Sequence, residues 1–101
     1  MREFLRGAVR LHILYHAAHG EVHGAWMATE LARHGYKISP GSLYPTLHKM
    51  EDEGLLRSSS KVVEGRVLRS YVTTAKGRRA LEATKRQLRE LTDEIFGDET
   101  P

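Results

Sequence analysis

Ser39-Pro40-Gly41-Ser42-Leu43-Tyr44-Pro45-Thr46-Leu47-His48-Lys49-Met50-Glu51-Asp52-Glu53-Gly54 is the stretch on which the fold turns. Ser39 and Pro40 form a helix start signal: a serine at the N-cap, then a ring whose missing N–H would be unpaired in the first turn anyway. Leu43, Leu47 and Met50 recur at helical spacing and Gly54 follows as a stop, which predicts a helix to about Glu53. Pro45 removes one backbone bond, a cost of up to about 3 kcal/mol in a regular helix interior. A bent or tightened first turn is therefore expected.

Upstream, Gly24 to His34 predicts a second helix with Met27, Ala28 and Leu31 facing the core and Gly35 as its stop. Tyr36-Lys37-Ile38 is a short connector. Arg2 to His19 is apolar over most of its circumference (Phe4, Leu5, Val9, Leu11, Ile13, Leu14, Tyr15), relieved by the stripe Arg2, Arg6, Arg10. A helix apolar nearly all round needs cover on two sides. In so short a chain the second cover is expected to be another subunit. Gly20 ends this helix.

Downstream, Leu55 to Val63 and Arg66 to Thr73 are two strand-like runs flanking Glu64-Gly65, a tight-turn pair, which predicts a hairpin short of core residues. Thr74 caps a last helix from about Ala75 to Phe96. Leu81, Thr84, Leu88, Leu91 and Ile95 follow at steps of 3, 4, 3 and 4. That seam is shorter than the three to four heptads that identify a coiled coil. It suits either pairing between subunits or packing on the helix's own domain. The tail from Gly97 to Pro101 is expected to fray.

Helix, helix, helix, hairpin, helix is the order of a winged helix-turn-helix. The fold class expected is mostly α with a β-hairpin, a winged helix-turn-helix with an additional C-terminal helix. It divides into a winged-helix DNA-binding domain over 1–74, a last helix over 75–96 that is a dimerisation helix if the pairing alternative holds, and a tail over 97–101.

Composition sets the outer bounds. The chain has 101 residues, 40% hydrophobic and 29% charged, an ordinary globular balance for one small domain. No run of about 18 apolar residues suggests a membrane span. The N-terminal stretch carries Arg2, Glu3, Arg6 and Arg10 and no small-residue cleavage site, unlike a signal peptide. Without cysteine there are no disulfides, thiolate metal sites or cysteine nucleophiles. A cytoplasmic protein is expected.

The net charge of +3 is unevenly spread. Residues 1–56 are neutral, residues 57–79 hold seven basic side chains against Glu64 alone, and residues 80–101 are net acidic. One basic element on a neutral body is what a polyanion-binding surface needs, although a solvated hairpin would show the same charges.

The runs His23-Gly24, Ser39 to Leu47 and Met50-Glu51-Asp52-Glu53-Gly54-Leu55-Leu56 resemble the PadR family of bacterial transcriptional regulators. Leu5-Arg6-Gly7 and Gly65-Arg66 through Arg69-Ser70-Tyr71-Val72-Thr73-Thr74-Ala75-Lys76-Gly77 fit the same pattern, so the resemblance spans about residues 5–95, in the family's short branch. It implies a dimeric winged-helix repressor on a pseudo-palindromic operator, its C-terminal helices pairing across the dimer with help from the first helix. It also implies a bacterial protein, on the nucleoid when bound to DNA. Leu5, Val9, Leu81, Leu88, Leu91 and Ile95 are the interface residues so assigned. Two departures stand out. Thr73 replaces a usually apolar residue, which is expected to loosen that strand end. Some members line a drug-binding pore with a tryptophan on the last helix, whereas the only tryptophan here is Trp26 in the second.

On the third helix, Ser39, Gly41, Ser42, Tyr44, Pro45, His48 and Lys49 form the outward face. Ser42 and Tyr44 in its N-terminal half are the first candidates for DNA contact, and Lys49 for a phosphate. Tyr44 has a packing role as its alternative. With no Arg, Asn or Gln on this helix, specificity is expected to rest on shape and weaker contacts. On the wing, Lys61, Arg66 and Arg69 are the phosphate or minor-groove candidates. Arg57 is expected to pair with Glu53 or Asp52, and Tyr71 to be core.

His12, His16, His19 and His23 run at steps of 4, 3 and 4. Imidazoles at i and i+4 can share a divalent ion, but Gly20 should end the helix before His23. No metal site and no cofactor are assigned, and a histidine-based metal-responsive regulator is kept as an alternative. No phosphate loop or nucleophile arrangement is present, so no enzyme is expected. The partners expected are double-stranded DNA, a second copy of the chain and a small-molecule effector of unknown identity that shifts the angle between the recognition helices, with no membrane. The competing class is a protein-interaction winged helix.

Overall fold

Helices α2 (Gly24–Arg33) and α3 (Pro40–Asp52) end in the same closure in the computed structural model, which describes residues 1–97 and 99. Past α3, Gly54 takes φ +79°, its N–H bonds the Glu51 carbonyl, and the Leu55 N–H bonds the Met50 carbonyl, both at 2.9 Å. Past α2, Gly35 and Tyr36 repeat the pattern on Ala32 and Leu31 at 2.9 and 3.0 Å. The arrangement pairs carbonyls that a helix end leaves open, and its left-handed residue is most easily glycine. It also folds Tyr36 and Leu55 back onto the core.

Before these comes α1 (Arg2–Ala18), and after them the hairpin of β2 (Leu56–Val63) and β3 (Arg66–Thr73), then α4 (Ala75–Gly97). The hairpin register runs from Leu56 opposite Thr73 to Val63 opposite Arg66, with Glu64 and Gly65 both at positive φ in the two-residue turn. An element without a local signal completes the sheet: β1, only Val22–His23, pairs antiparallel with Tyr71 and Ser70, giving the order β1-β3-β2. The architecture is the expected one, mostly helical with a small antiparallel hairpin in a winged helix-turn-helix.

The core draws Val9, Ile13, Leu14 and Ala17 from α1, Met27 and Leu31 from α2, and Leu43, Leu47 and Met50 from α3. Leu56, Tyr71 and Leu81 add one residue each from β2, β3 and α4. Only the base of the hairpin is anchored, and its tip stands in solvent, with Val62 and Val67 70% and 71% exposed. Tyr71 is core as expected, and burial pushes its hydroxyl pKa up.

Several expectations are corrected. Ser39 makes no side-chain cap bond; its carbonyl accepts the Ser42 and Leu43 N–H groups at 3.0 and 2.8 Å, so the start of α3 rests on Pro40 and the backbone. Pro45 does not interrupt the helix, and the tightening expected of the first turn is present in the i→i+3 bond from the Ser42 N–H to the Ser39 carbonyl. Thr73 does not loosen the end of β3: it stays in the ladder, and its buried hydroxyl donates to the Leu14 carbonyl at 2.9 Å. Thr74 does cap α4, its hydroxyl oxygen accepting the Gly77 N–H at 3.0 Å while donating to the Gly54 carbonyl at 2.6 Å. Helix α4 continues through Gly97, one residue past the expected end. Of the tail expected to fray, Asp98, Thr100 and Pro101 lie outside the described residues.

Val9 and Leu81, expected at a subunit interface, are buried in the chain's own core, because the first turns of α4 pack on α1. The other four assigned residues, Leu5, Leu88, Leu91 and Ile95, are exposed. At 1.5 Å per residue α4 is about 34 Å long, and its residues from 85 to 91 are all exposed. No helix among the described residues is long and apolar enough to cross a membrane.

Candidate nucleic-acid interface

Because Leu43, Leu47 and Met50 point inward, the opposite face of α3 is left to solvent. Ser39, Gly41, Ser42, Tyr44, Pro45, His48 and Lys49 are all exposed, as are Lys61, Arg66 and Arg69 on the wing. Tyr44 has a dual position: it is 40% exposed, yet its ring lies over the first turn of α2. A Cβ on Gly24 would sit 2.8 Å from Tyr44 Cε1, so the glycine is what lets the ring settle there.

The helix and the wing are tied together by Glu51. Its carboxylate accepts both the N–H and the hydroxyl of Ser58 on β2, at 3.1 and 2.5 Å. The Ser58 hydroxyl, above all, holds the Glu51 carboxyl below its ordinary pKa, aided by the Ser58 N–H, Arg69 on the wing and His48 on α3. Glu51 thus marks where the exposed face of α3 meets the basic strand. Glu53 is taken by Arg10 of α1 at 2.5 Å, which overturns its expected pairing with Arg57. Arg57 is exposed and has no ion pair among the described residues.

Arg2, Arg6 and Arg10 line a groove of about 630 Å³ with Lys37, Lys49, Ser42 and Thr46. The groove runs from the N-terminal half of α1 to the flank of α3, and no carboxylate among the described residues lines it. Its floor is apolar, from Leu5, Val9 and Ile38. The arginine stripe was visible in the sequence, but its closeness to Lys37 and Lys49 was not.

The histidines assemble differently from the sequence pattern. His12 and His16 of α1 meet His34, the C-cap of α2, and one ring nitrogen from each lies within 4.8 Å of the others. His19 turns away to bond the Tyr15 carbonyl at 2.7 Å, and His23 sits in β1. Glu30, one turn before His34, is buried and bonds Arg33 and His34 at 2.6 and 3.0 Å. Burial first, then the neighbouring imidazole of His34, lowers the pKa of His12; burial also lowers that of His16, against the opposing pull of Glu30. Reading α1 alone could not find His34, but the matched pairs His12/His16 and Glu30/His34, each i and i+4, were available as a signal.

Known proteins are similar to this chain in sequence and fold. Residues 13–83 match the transcriptional regulator PadR-like family. Transcriptional regulator Rv3488 of Mycobacterium tuberculosis is 58% identical over 100 residues, covering 99% of this chain and 94% of its own. The crystal structure of a PadR-like transcriptional regulator from Bacillus cereus superposes with a TM-score of 0.85 at 30% identity, over 98% of each chain. That of a PadR family regulator from Eggerthella lenta gives 0.81 at 29%, over 92% of this chain and 82% of that one. The chain belongs to the PadR-like family of transcriptional regulators.

Proposed function

We propose that the chain is a sequence-specific DNA-binding repressor that acts as a homodimer on a pseudo-palindromic operator. Helix α3 enters the major groove with Ser39, Gly41, Ser42, Tyr44, Pro45, His48 and Lys49 facing it, and Lys61, Arg66 and Arg69 of the wing take the flanking phosphates. The observation that carries this reading is the Glu51–Ser58 tie, which holds the exposed face of α3 and the basic strand as one unit. Ser42 and Tyr44 are the base-edge candidates. With no Arg, Asn or Gln on α3, discrimination leans on operator shape.

The homodimer is supported by what a single chain leaves uncovered. Leu88, Leu91, Ile95 and Phe96 on α4, and Phe4 and Leu5 on α1, are 40–58% exposed. Residues 88–96 carry Glu90, Asp93 and Glu94 against Arg89 alone, while residues 2–6 carry Arg2 and Arg6 against Glu3 alone. Apolar seams flanked by opposite charge fit each other across a two-fold axis. The protein divides its labour between residues 1–74, which hold DNA, and residues 75–96, which pair. An effector acts by binding one dimer geometry better than the other, so changing the angle between the two α3 helices.

The test is fluorescence-anisotropy binding to DNA selected from a random pool, between about 50 and 200 mM salt. Half-sites about 10–10.5 bp apart, or a multiple of that, are expected. A log–log salt slope near −5 corresponds to about six neutralised phosphates. Arg66→Ala and Arg69→Ala should weaken binding to all sequences and flatten the slope by about 1 per lost contact. No enriched sequence, with weak binding even at low salt, would overturn the reading in favour of a protein-docking winged helix.

A further inference from the structure

His12, His16 and His34 have no part in the DNA-facing surface, yet the fold spends two helices on bringing them together. His12 and His16 are one turn apart on α1, and His34 caps α2 four residues after Glu30. The rings of His12 and His34 stand 4.9 Å apart between centroids, those of His12 and His16 6.1 Å, and those of His16 and His34 6.5 Å. Their nearest nitrogens lie within 4.8 Å of one another. A tetrahedral zinc ion with ligand bonds of about 2.0–2.1 Å would place them roughly 3.4 Å apart, within reach of small rotations about the side-chain bonds.

A second observation points into the same space. The Nε2 atom of His16 is buried and has no hydrogen-bond partner, and Glu30 Oε1 lies 3.9 Å from it, beyond hydrogen-bond reach. An unsatisfied buried nitrogen costs about 1–3 kcal/mol unless something pairs it. Glu30 is placed to orient a metal-bound imidazole: it bonds Nε2 of His34 at 3.0 Å, which leaves Nδ1 of that ring for an ion, and is itself held by Arg33 at 2.6 Å. The cluster opens into a groove of about 490 Å³ between α1, α2 and α4, which leaves room for a fourth ligand. The two cations on its rim are already engaged, Arg33 with Glu30 and Lys85 with Glu82.

We propose that His12, His16 and His34 form a binding site for one zinc-class divalent transition ion per chain, with Glu30 as the positioning carboxylate and the fourth coordination position open to the groove. Three imidazoles suit zinc, cobalt, nickel or copper and disfavour magnesium and calcium, which prefer oxygen ligands. Once bound, the ion clamps the end of α2 to the middle of α1, next to the connector that leads from His34 into α3. The site does not depend on the DNA reading above, and its test uses the protein alone.

That test is zinc titration of untagged, chelator-stripped protein in competition with a chromophoric chelator, with Co²⁺ as optical probe. One ion per chain at a Kd of roughly 1 µM or tighter is expected, with the intense visible absorption of tetrahedral cobalt. His34→Ala and His16→Gln should weaken zinc by more than the 10–100-fold typical of losing an outer partner, and Glu30→Gln by about that 10–100-fold. His19→Ala and His23→Ala should change nothing. Because the His34 ring is exposed at a helix end, His34→Ala keeps the test decisive if His16→Gln fails to fold. Binding weaker than about 1 µM, or binding that His34→Ala leaves intact, would overturn the proposal.

Discussion

Glu51 on the last turn of α3 and Ser58 on β2 are joined twice, the carboxylate accepting the serine N–H at 3.1 Å and its hydroxyl at 2.5 Å. The pair sits where the third helix hands over to the wing, so it sets how the two elements are presented together. Hydrogen bonds to a charged acceptor contribute more than neutral ones, about 1.5–3 kcal/mol each net of the bonds to water that they replace.

Glu51→Gln should therefore lower stability by about 1–2 kcal/mol at neutral pH, a fall in Tm of roughly 5–10 °C for a domain of this size. The carboxyl pKa is lower in the folded state than its ordinary value of 4.5. Its stabilising contribution is thus complete above that value and is lost as pH falls through the lowered one. The gap between wild type and variant should close in acid. Thermal melts at fixed protein concentration from pH 7 to pH 3 check this, and a gap as wide at pH 3 as at pH 7 would contradict it.

Gly77 separates two effects of opposite sign. Alanine in a helix interior gains about 1 kcal/mol over glycine. At Gly77, however, a Cβ would lie 2.2 Å from the Leu55 carbonyl oxygen and 2.6 Å from Thr73 Cγ2. The backbone oxygen cannot swing aside, so the clash wins, and Gly77→Ala should destabilise by about 2–3 kcal/mol or more. Gly7→Ala, with nothing within 4 Å of the new methyl group, should stabilise by about 0.5–1 kcal/mol. Denaturant melts of both variants suffice.

Gly24 tests Tyr44 without removing it. The methyl of Gly24→Ala would meet the Tyr44 ring at 2.8 Å, and the ring, at the end of a flexible side chain, can rotate away. Stability should change by less than about 1 kcal/mol. If Tyr44 contacts DNA, operator affinity should fall by about 10-fold, the scale of one lost contact. Equal affinity in Gly24→Ala and wild type would assign Tyr44 to packing.

Leu91 and Ile95 test the pairing of α4. Both are about half exposed in the single chain, so charge there costs its own fold little. Leu91→Glu with Ile95→Glu should leave the helix content intact and convert a dimer to a monomer in sedimentation velocity. Operator affinity should fall with it, because the two half-sites are then no longer bound as one. A doubly substituted protein that still sediments as a dimer would place the interface elsewhere.

The elements were legible in the sequence because their causes are local. Pro40 starts α3, Gly35 and Gly54 close α2 and α3, Thr74 caps α4, and Glu64-Gly65 turns the hairpin, each through contacts a few residues apart. The outward face of α3 followed from the spacing of Leu43, Leu47 and Met50 alone. Motif and spacing together determined the family, the winged helix and the exposure of the outward face of α3.

What only the tertiary structure decided are pairings across distant parts of the chain. Two residues, Val22 and His23, are too few to show a strand period, and they become β1 only because β3 offers an edge. Thr73 looked misplaced until the Leu14 carbonyl, 59 residues earlier, accepted its hydroxyl. Val9 and Leu81 share an apolar spacing with exposed neighbours, and only the docking of α4 on α1 put them in the core. His34 joined His12 and His16 in place of His19 and His23 because α2 folds back across α1. Helix periodicity says which residues share a face; which other face it meets is settled only when the whole chain has packed.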